Sequence, residues 1–296
     1  MRIRIGVGTI NSSRLLERFK AYLSNAALAQ TTVVNYLADL RAFLRWSEGT
    51  KGTACSPLSL DTSDIQAYCF YLQETRNHAP ATVNRRLQTL RKFYDLAVAQ
   101  GWTLHNPAEH VSLLSETASA RSRSLTSDDV ARLLAAVRSG RHRWATRDWA
   151  IIQILLGAGL KLGELTELRL ADVHLDVNQP CLEVGAVSSN SGRTIPLEAE
   201  VCEALRSYLV ARQAAQGVDH LFVNRDGNPL STRSVQRLLY RYAQAAGLDS
   251  LTTQALRYMY ARRIYERSGD LRTVAHRLGH RHLATTIRYL RPSSNE

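Results

Sequence analysis

The stretch Leu251–Tyr289, LTTQALRYMYARRIYERSGDLRTVAHRLGHRHLATTIRY, decides how the rest of the sequence is interpreted. It contains Arg257, then His280 in a Leu-Gly-His turn, and then Tyr289 nine positions later. Arginine holds phosphate through its planar fork, histidine donates to phosphate or positions a nucleophile, and tyrosine is a nucleophile once a neighbour takes its proton. These residues therefore predict a site for attack by a phenolic oxygen on a phosphodiester.

Other interpretations of the same residues stay open. The chain has 12 tyrosines, and Tyr289 is preferred only for its interval to His280 and Arg257. We interpret the other tyrosines of this stretch as packing residues: Tyr258, Tyr260 and Tyr265. Its histidines also fit zinc ligation on a helix and turn: His276, His280 and His282. Since no cysteine or carboxylate cluster stands beside them, we predict no metal site.

Composition favours a two-domain protein with a polyanionic partner. The 296 residues are enough for two domains, and the net charge of +12 favours nucleic acid. No apolar run approaches the roughly 18 residues needed to cross a bilayer, and the start MRIRIGVGTINSS lacks an apolar signal core. We therefore expect a cytoplasmic protein that does not enter membranes.

The types of basic residue and the spacing of the cysteines give further predictions. Only four of the 38 basic residues are lysine. Arginine forks suit bidentate phosphate contacts, although high-GC coding also replaces lysine with arginine. The cysteines form no C-x-x-C pair, so we predict neither a disulfide framework nor a zinc ribbon. We interpret them as small buried thiols: Cys55, Cys69, Cys181 and Cys202.

The first third of the chain predicts a small bundle of four amphipathic helices. The expected helices are one capped by Ser12 or Ser13, one over about 31–47 that ends before a turn-rich loop at 48–52, one opened by Asp61, and one from near Pro80 to Gly101. The fourth helix carries a basic group on its polar side: Arg85, Arg86, Arg91 and Lys92. Each charge alone fits a solvated helix face, but as a group they favour contact with DNA phosphates.

Residues 109–124 are small, polar and mildly basic, which is typical of an interdomain linker. Beyond the linker, Thr126 is expected to cap a helix with acidic residues in its first turn. A buried helix is expected over about 149–156, with a break at Gly157-Ala158-Gly159. The remaining expected elements are strands over 181–187 and 193–197, helices over about 201–213 and 231–246, and the helical opening stretch.

Three segments resemble the tyrosine recombinases, the phage-integrase and Xer-like family. A-L-R-Y and L-G-H-R-H-L-A-T-T-I-R-Y resemble the second signature box, LKLGELTELRLADV resembles the first, and T-V-N-R-R-L-Q-T-L-R-K-F-Y with Asn106-Pro107 resembles the core-binding domain. The resemblance implies a mainly α fold with a small β-sheet. Its expected domains are a four-helix, SAM-like core-binding domain over 12–108, a linker over 109–124, and a catalytic domain over 125–292.

The resemblance also implies roles for residues. Tyr289 would be the nucleophile that forms a 3′-phosphotyrosyl bond, and Arg257 and His280 would hold the phosphate. Three positions depart from the family pattern: Lys161 replaces an arginine, Gln254 replaces a histidine, and the usual hairpin lysine is missing near Ser188. Arg193 matches the basic residue before Ile-Pro and is expected to contact DNA.

The predicted function is site-specific recombination or integration for a mobile element or phage. Its partners would be double-stranded DNA and further copies of the chain, as a dimer or tetramer, and neither metal nor cofactor is implied. The departures at Lys161 and Gln254 and the missing hairpin lysine favour an alternative, a catalytically impaired DNA-binding accessory protein. A topoisomerase of related chemistry is a third, weaker possibility.

Overall fold

The computed structural model describes residues 11–26, 28–52, 55–115, 125–176, 178–185, 192–248 and 251–290, without the side chains of residues 288 and 289. Within these ranges the chain forms twelve α-helices and one three-stranded sheet. It divides into an N-terminal unit, Met1–Ala120, and a C-terminal unit, Arg121–Glu296. The mainly α fold class with a small β-sheet is thus confirmed, while the exact domain limits stay a prediction.

The N-terminal unit is a helical bundle around an aromatic core. Its helices are α1 Ser12–Asn25, α2 Gln30–Lys51, α3 Thr62–Phe70 and α4 Pro80–Ala99. Phe43 and Tyr68 meet edge to face with ring centroids 5.0 Å apart, a geometry that aromatic pairs prefer. As predicted, Asp61 caps α3 with a reciprocal capping box, and α4 begins at Pro80, where the missing N–H costs nothing.

Two helix ends differ from the predictions. Asn11, and not Ser12 or Ser13, caps α1, because its side chain accepts from the Ser13 N–H at 2.7 Å. The second helix continues through the expected loop to Lys51 and ends at Gly52, where φ is +83°. Tertiary contacts outweigh the helix-breaking tendency of Gly49 here, since Ser47 is buried and Lys51 lies 2.6 Å from Asp64.

The C-terminal unit holds the second core. Its helices are α5 Ser127–Arg138, α6 Ala145–Ala158, α7 Leu162–Glu167, α8 Ala199–Ala211, α9 Thr232–Ala245, α10 Thr253–Ser268, α11 Leu271–Leu278 and α12 Leu283–Leu290. The predicted Thr126 cap opens α5. Helix α6 is buried on nearly all sides and ends at Gly159 in the left-handed conformation, as the glycine break predicts.

The antiparallel sheet has the order β1-β2-β3, with β1 Val173–His174, β2 Cys181–Val184 and β3 Arg193–Pro196. Leu182 pairs with Ile195 and both are buried, so alternation places one face of the hairpin on the core. The short β1 was not predicted from the sequence. The hairpin turn, including Ser188, lies outside the described residues.

In the described part of the chain, no helix is long and apolar enough to span a bilayer. All four cysteines are described and are free thiols, but only Cys69 and Cys202 are buried. The prediction of buried thiols is therefore wrong for Cys55 and Cys181, which are partly exposed.

Candidate active site

Arg257 is the centre of a cluster of charged residues in the C-terminal unit. It lies on α10, its side chain is only 1% exposed, and its Nη1 donates to the carbonyl of Gly159 at 2.6 Å. Its Nη2 donates to the carbonyl of Leu278 and lies 3.3 Å from Nε2 of His280. A buried guanidinium held at both ends has a fixed orientation, so the cluster presents a preorganised positive charge.

Gly159 makes this arrangement possible. Its φ of +60° belongs to the left-handed region, and an added Cβ would lie 2.3 Å from the ring of Tyr260. Glycine alone avoids both penalties. The end of α6 therefore approaches α10 closely enough for Arg257 to donate to the carbonyl of Gly159.

Glu164, on α7, neutralises part of the charge. Its carboxylate accepts two hydrogen bonds from Arg193, at 3.1 and 2.8 Å, and one from the Lys161 N–H at 2.8 Å. It also lies 3.7 Å from Nη1 of Arg257. Burial alone would raise the pKa of Glu164, but the Arg193 bonds and the Lys161 N–H outweigh burial and lower the pKa to about 2.

Arg193, which was predicted to contact DNA, is largely buried in the structure. Its side chain is 7% exposed, and Nε donates to the carbonyl of Arg277 at 2.8 Å. Gly279 has a φ of +66°, and a Cβ there would lie 2.8 Å from Nη1 of Arg193. Arg193 and Arg257 thus bind consecutive carbonyls at the C-terminus of α11, where the helix dipole favours cations.

His280 follows that helix end directly. Its backbone N–H donates to the carbonyl of Ala275 at 2.9 Å, and its Nδ1 lies 3.0 Å from Oγ1 of Thr286. Because Arg257 can only donate, Nε2 of His280 must accept, and Nδ1 therefore carries the proton in this arrangement. Burial, followed by the charge of Arg257, lowers the pKa of His280 to about 4, so the ring is neutral near pH 7.

The two substituted positions lie at the edge of the cluster. Lys161 is 55% exposed, and its Nζ lies 3.4 Å from Oε1 of Glu164. Gln254 is exposed on α10, about one turn before Arg257. Both are therefore accessible from solvent, in contrast to Arg257.

Tyr289 lies in α12, but its side chain is outside the part of the chain that the structure describes. The same helix contributes Thr286, which is 0% exposed and was not predicted from the sequence. Residues three apart share one face of a helix, so the backbone places positions 286 and 289 on a common face. A threonine in such a segment has no sequence signal for this role, because only the fold brings it to His280.

The predicted DNA-binding residues of α4 have different environments. Arg85 is half exposed, and both of its terminal nitrogens donate to the buried carboxylate of Asp39, with Nη2 at 2.9 Å from Oδ1. Arg86 lies 3.6 Å from the same carboxylate. Lys92 lies over the ring of Tyr22 at 5.7 Å. Arg91 donates to the carbonyls of Ala108 and Val111, at 3.0 and 2.6 Å, so its guanidinium holds the segment that follows the bundle.

Helix α9 presents a second basic surface, which the sequence reasoning missed. Its inner face is apolar and packs into the core, while its outer face is polar and exposed. The residues of this outer surface are Arg233, Gln236, Arg237, Tyr240 and Gln244. Their helical spacing is the available signal, because apolar positions at 235, 238, 239 and 242 leave these side chains on the opposite face.

Among the residues that the structure describes, no group of three or more histidine, cysteine, aspartate or glutamate side chains is arranged to hold a metal ion.

A family model described as the phage integrase family matches residues 123–296, more than half of the chain. The chain belongs to the phage integrase family. A second model, the N-terminal SAM-like domain of phage integrases, matches residues 15–104. These matches confirm the resemblance to tyrosine recombinases and the SAM-like identity of the N-terminal bundle.

Curated relatives are similar over most of the chain. The tyrosine recombinase XerD of Halalkalibacterium halodurans is 29% identical over 268 residues, covering 88% of this chain and 87% of the relative. The tyrosine recombinase XerC of Alcanivorax borkumensis is 35% identical over 212 residues, covering 70% and 68%. The chain is thus similar in sequence to Xer recombinases over 88% and 70% of its length in these two comparisons.

Solved structures share its fold. The Tn1549 transposon integrase in complex with circular intermediate DNA has a TM-score of 0.75 at 18% identity, covering 95% of each chain. A lambda integrase tetramer bound to a Holliday junction has a TM-score of 0.75 at 22% identity, covering 98% of this chain and 80% of the other.

Proposed function

We propose that this integrase is a site-specific recombinase that breaks and rejoins DNA through Tyr289. The observation that carries the proposal is the joining of Arg257, His280 and Glu164 into one preorganised cluster, with α12 attached to it through Thr286. Residues 12–108 would bind DNA and residues 125–292 would perform the chemistry.

The chemistry follows from the cluster. Arg257 and Lys161 bind the non-bridging oxygens of the scissile phosphate and stabilise the charge that develops on them. The phenolic oxygen of Tyr289 loses its proton and forms a bond to phosphorus, while the bond from phosphorus to the 5′-oxygen breaks and that oxygen takes up a proton. His280 is suited to donate to a phosphate oxygen through Nε2 or to help position the nucleophile, with the tyrosine proton passing to water. Attack of a 5′-hydroxyl on the 3′-phosphotyrosyl bond reverses the sequence and rejoins the strand.

The DNA-binding part of the proposal has separate support. The net charge of +12 favours a polyanion, and α9 adds an exposed surface with Arg233 and Arg237. Arg85, Arg86 and Lys92 extend the candidate contacts to the N-terminal unit, whereas Arg91 is better explained by its structural bonds. Lambda integrase occurs as a tetramer on a Holliday junction, which supports self-association of this chain on DNA.

A DNA-binding accessory protein with lost catalysis is the second candidate. It is favoured by Lys161, whose ammonium cannot make the two-pronged contact of an arginine, and by Gln254, which cannot titrate near neutral pH. The cluster around Arg257 would then serve only to bind DNA.

The deciding experiment traps the covalent intermediate. Nicked suicide duplexes that carry sites from the integrase's own element are incubated with wild type, Tyr289→Phe and Tyr265→Phe, and the products are separated on a denaturing gel. Recombination through Tyr289 predicts an adduct for wild type and Tyr265→Phe, and none for Tyr289→Phe. Site-specific binding with no adduct from any of the three proteins would instead support the accessory function.

A further inference from the structure

Thr286 connects α12, the helix that contains Tyr289, to His280 and Arg257. It is fully buried on α12. Its Oγ1 lies 3.0 Å from Nδ1 of His280, and Nε2 of the same ring lies 3.3 Å from Nη2 of Arg257. A side-chain contact of Thr286 thus connects the helix of the proposed nucleophile to the phosphate-binding arginine.

The hydroxyl of Thr286 suits a histidine that must change its tautomer. In the DNA-free site, Nε2 of His280 accepts from Arg257, so Nδ1 carries the proton and donates to Thr286. A phosphate oxygen can only accept, so its arrival favours a proton on Nε2. A neutral ring then has a bare Nδ1, which needs a donor. A hydroxyl both donates and accepts, and it can serve both tautomers without moving α12.

We propose that Thr286 is a positioning residue for DNA cleavage. Its hydroxyl holds His280 in either tautomer and keeps α12 in position beside Arg257. This inference rests on the proposed recombinase function. Valine would fill the same space without the hydroxyl, and serine would keep the hydroxyl while losing a methyl group. Thr285, its exposed neighbour on α12, offers a matched control.

The groups that face His280 come from four elements. They are Arg257 on α10, Lys161 and Glu164 at the start of α7, Arg193 on β3, and Thr286 on α12. The charges in this set stay the same in a Thr286→Val protein. A changed pH profile in that variant would therefore report the loss of the hydroxyl itself.

The first measurement is independent of activity. Nitrogen-15 NMR of the histidine side chains, with His280 assigned by its loss in His280→Gln, reports which ring nitrogen carries the proton. Wild type, Thr286→Ser and Thr285→Val are expected to show His280 with a hydrogen-bonded proton on Nδ1. In Thr286→Val the contact with Arg257 keeps the proton on Nδ1, and the Nδ1 resonance is expected to shift because the hydroxyl that accepts this proton is lost. A folded Thr286→Val protein with an unchanged His280 spectrum would overturn the inference.

The second measurement is the rate of adduct formation at saturating DNA, together with the DNA dissociation constant. Thr286→Val should lower the rate about 10- to 100-fold, because small misplacements of reacting groups are costly, and should leave the dissociation constant unchanged. Thr286→Ser and Thr285→Val should stay within about 3-fold of wild type. An equal loss in Thr286→Ser and Thr286→Val would contradict the role of the hydroxyl. Absence of adduct from wild type would count against the proposed function, while the NMR result would still decide this inference.

Discussion

Arg193 and Glu164 form a two-pronged ion pair, with Nη1 3.1 Å from Oε1 and Nη2 2.8 Å from Oε2. Both side chains are largely buried, at 7% and 18% exposure. The pair joins β3 to α7, and through the Arg277 carbonyl it also fixes the end of α11. One carboxylate therefore holds together three segments that surround Arg257.

Removing the carboxylate of Glu164 should destabilise the C-terminal unit. Glu164→Gln leaves Arg193 buried without its charge partner, and we expect a loss of about 3 kcal/mol in the free energy of unfolding, measured in urea. Because the pKa of Glu164 falls from 4.5 to about 2 on folding, its carboxylate stabilises the folded protein fully above pH 4.5 and loses this effect as pH falls toward 2. The free energy of unfolding of Glu164→Gln should lack this dependence on pH. Glu167→Gln, on the exposed side of α7, is the control, and an equal loss there would contradict the assignment.

Gly159 should tolerate no side chain. Gly159→Ala combines left-handed strain with overlap of the Tyr260 ring, and we expect a loss of about 2 to 4 kcal/mol in unfolding free energy. Gly269 has nearly the same φ, +64°, with no atom within 4 Å of an added Cβ. Gly269→Ala should therefore cost only about 1 to 2 kcal/mol from backbone strain. Equal costs for the two variants would show that close packing at Gly159 is unimportant.

Lys161 should limit the rate of cleavage. Lys161→Arg supplies a planar fork at an exposed edge of the cluster, so we expect adduct formation to rise about 10-fold. Lys161→Gln removes the charge and should lower the rate about 100-fold. Single-turnover kinetics on the suicide duplex measures both. A rate that is the same for lysine, arginine and glutamine would exclude position 161 from phosphate binding.

The outer surface of α9 should contribute phosphate contacts. Arg233→Ala and Arg237→Ala should each weaken DNA binding and reduce the slope of log affinity against log salt concentration by about 1. Arg262→Ala serves as a control, because Arg262 is exposed but pairs with Glu266 at 2.8 Å on α10. Fluorescence anisotropy over a salt series gives the slopes. Unchanged slopes in the α9 variants would place the DNA contacts elsewhere.

Local signals in the sequence predicted much of the fold. Asp61, Pro80, Thr126 and the break at Gly159 each act within a few residues, and the structure has an element boundary at each one. The continuation of α2 through Gly49 was not predictable, because the ion pair of Lys51 with Asp64 depends on another helix.

In the candidate site, some residues were predictable from the sequence and others were not. Arg257, His280 and Tyr289 stand out by their intervals, whereas Glu164 and Thr286 gain their importance from the fold. Glu164 meets an arginine from a different strand, and Thr286 meets the turn before its own helix. Arg193 and Arg91 are ordinary basic residues in the sequence, and only their buried or carbonyl-bound guanidinium groups reveal structural roles.

The central claim is that Tyr289 becomes linked to DNA. The most direct measurement is mass spectrometry of the trapped adduct after trypsin and nuclease digestion, with Thr285→Val protein digested in parallel as a positive control. The account predicts a nucleotide on the peptide that begins at Tyr289, attached through a 3′-phosphate. A nucleotide on any other tyrosine, or attachment through a 5′-phosphate, would contradict it.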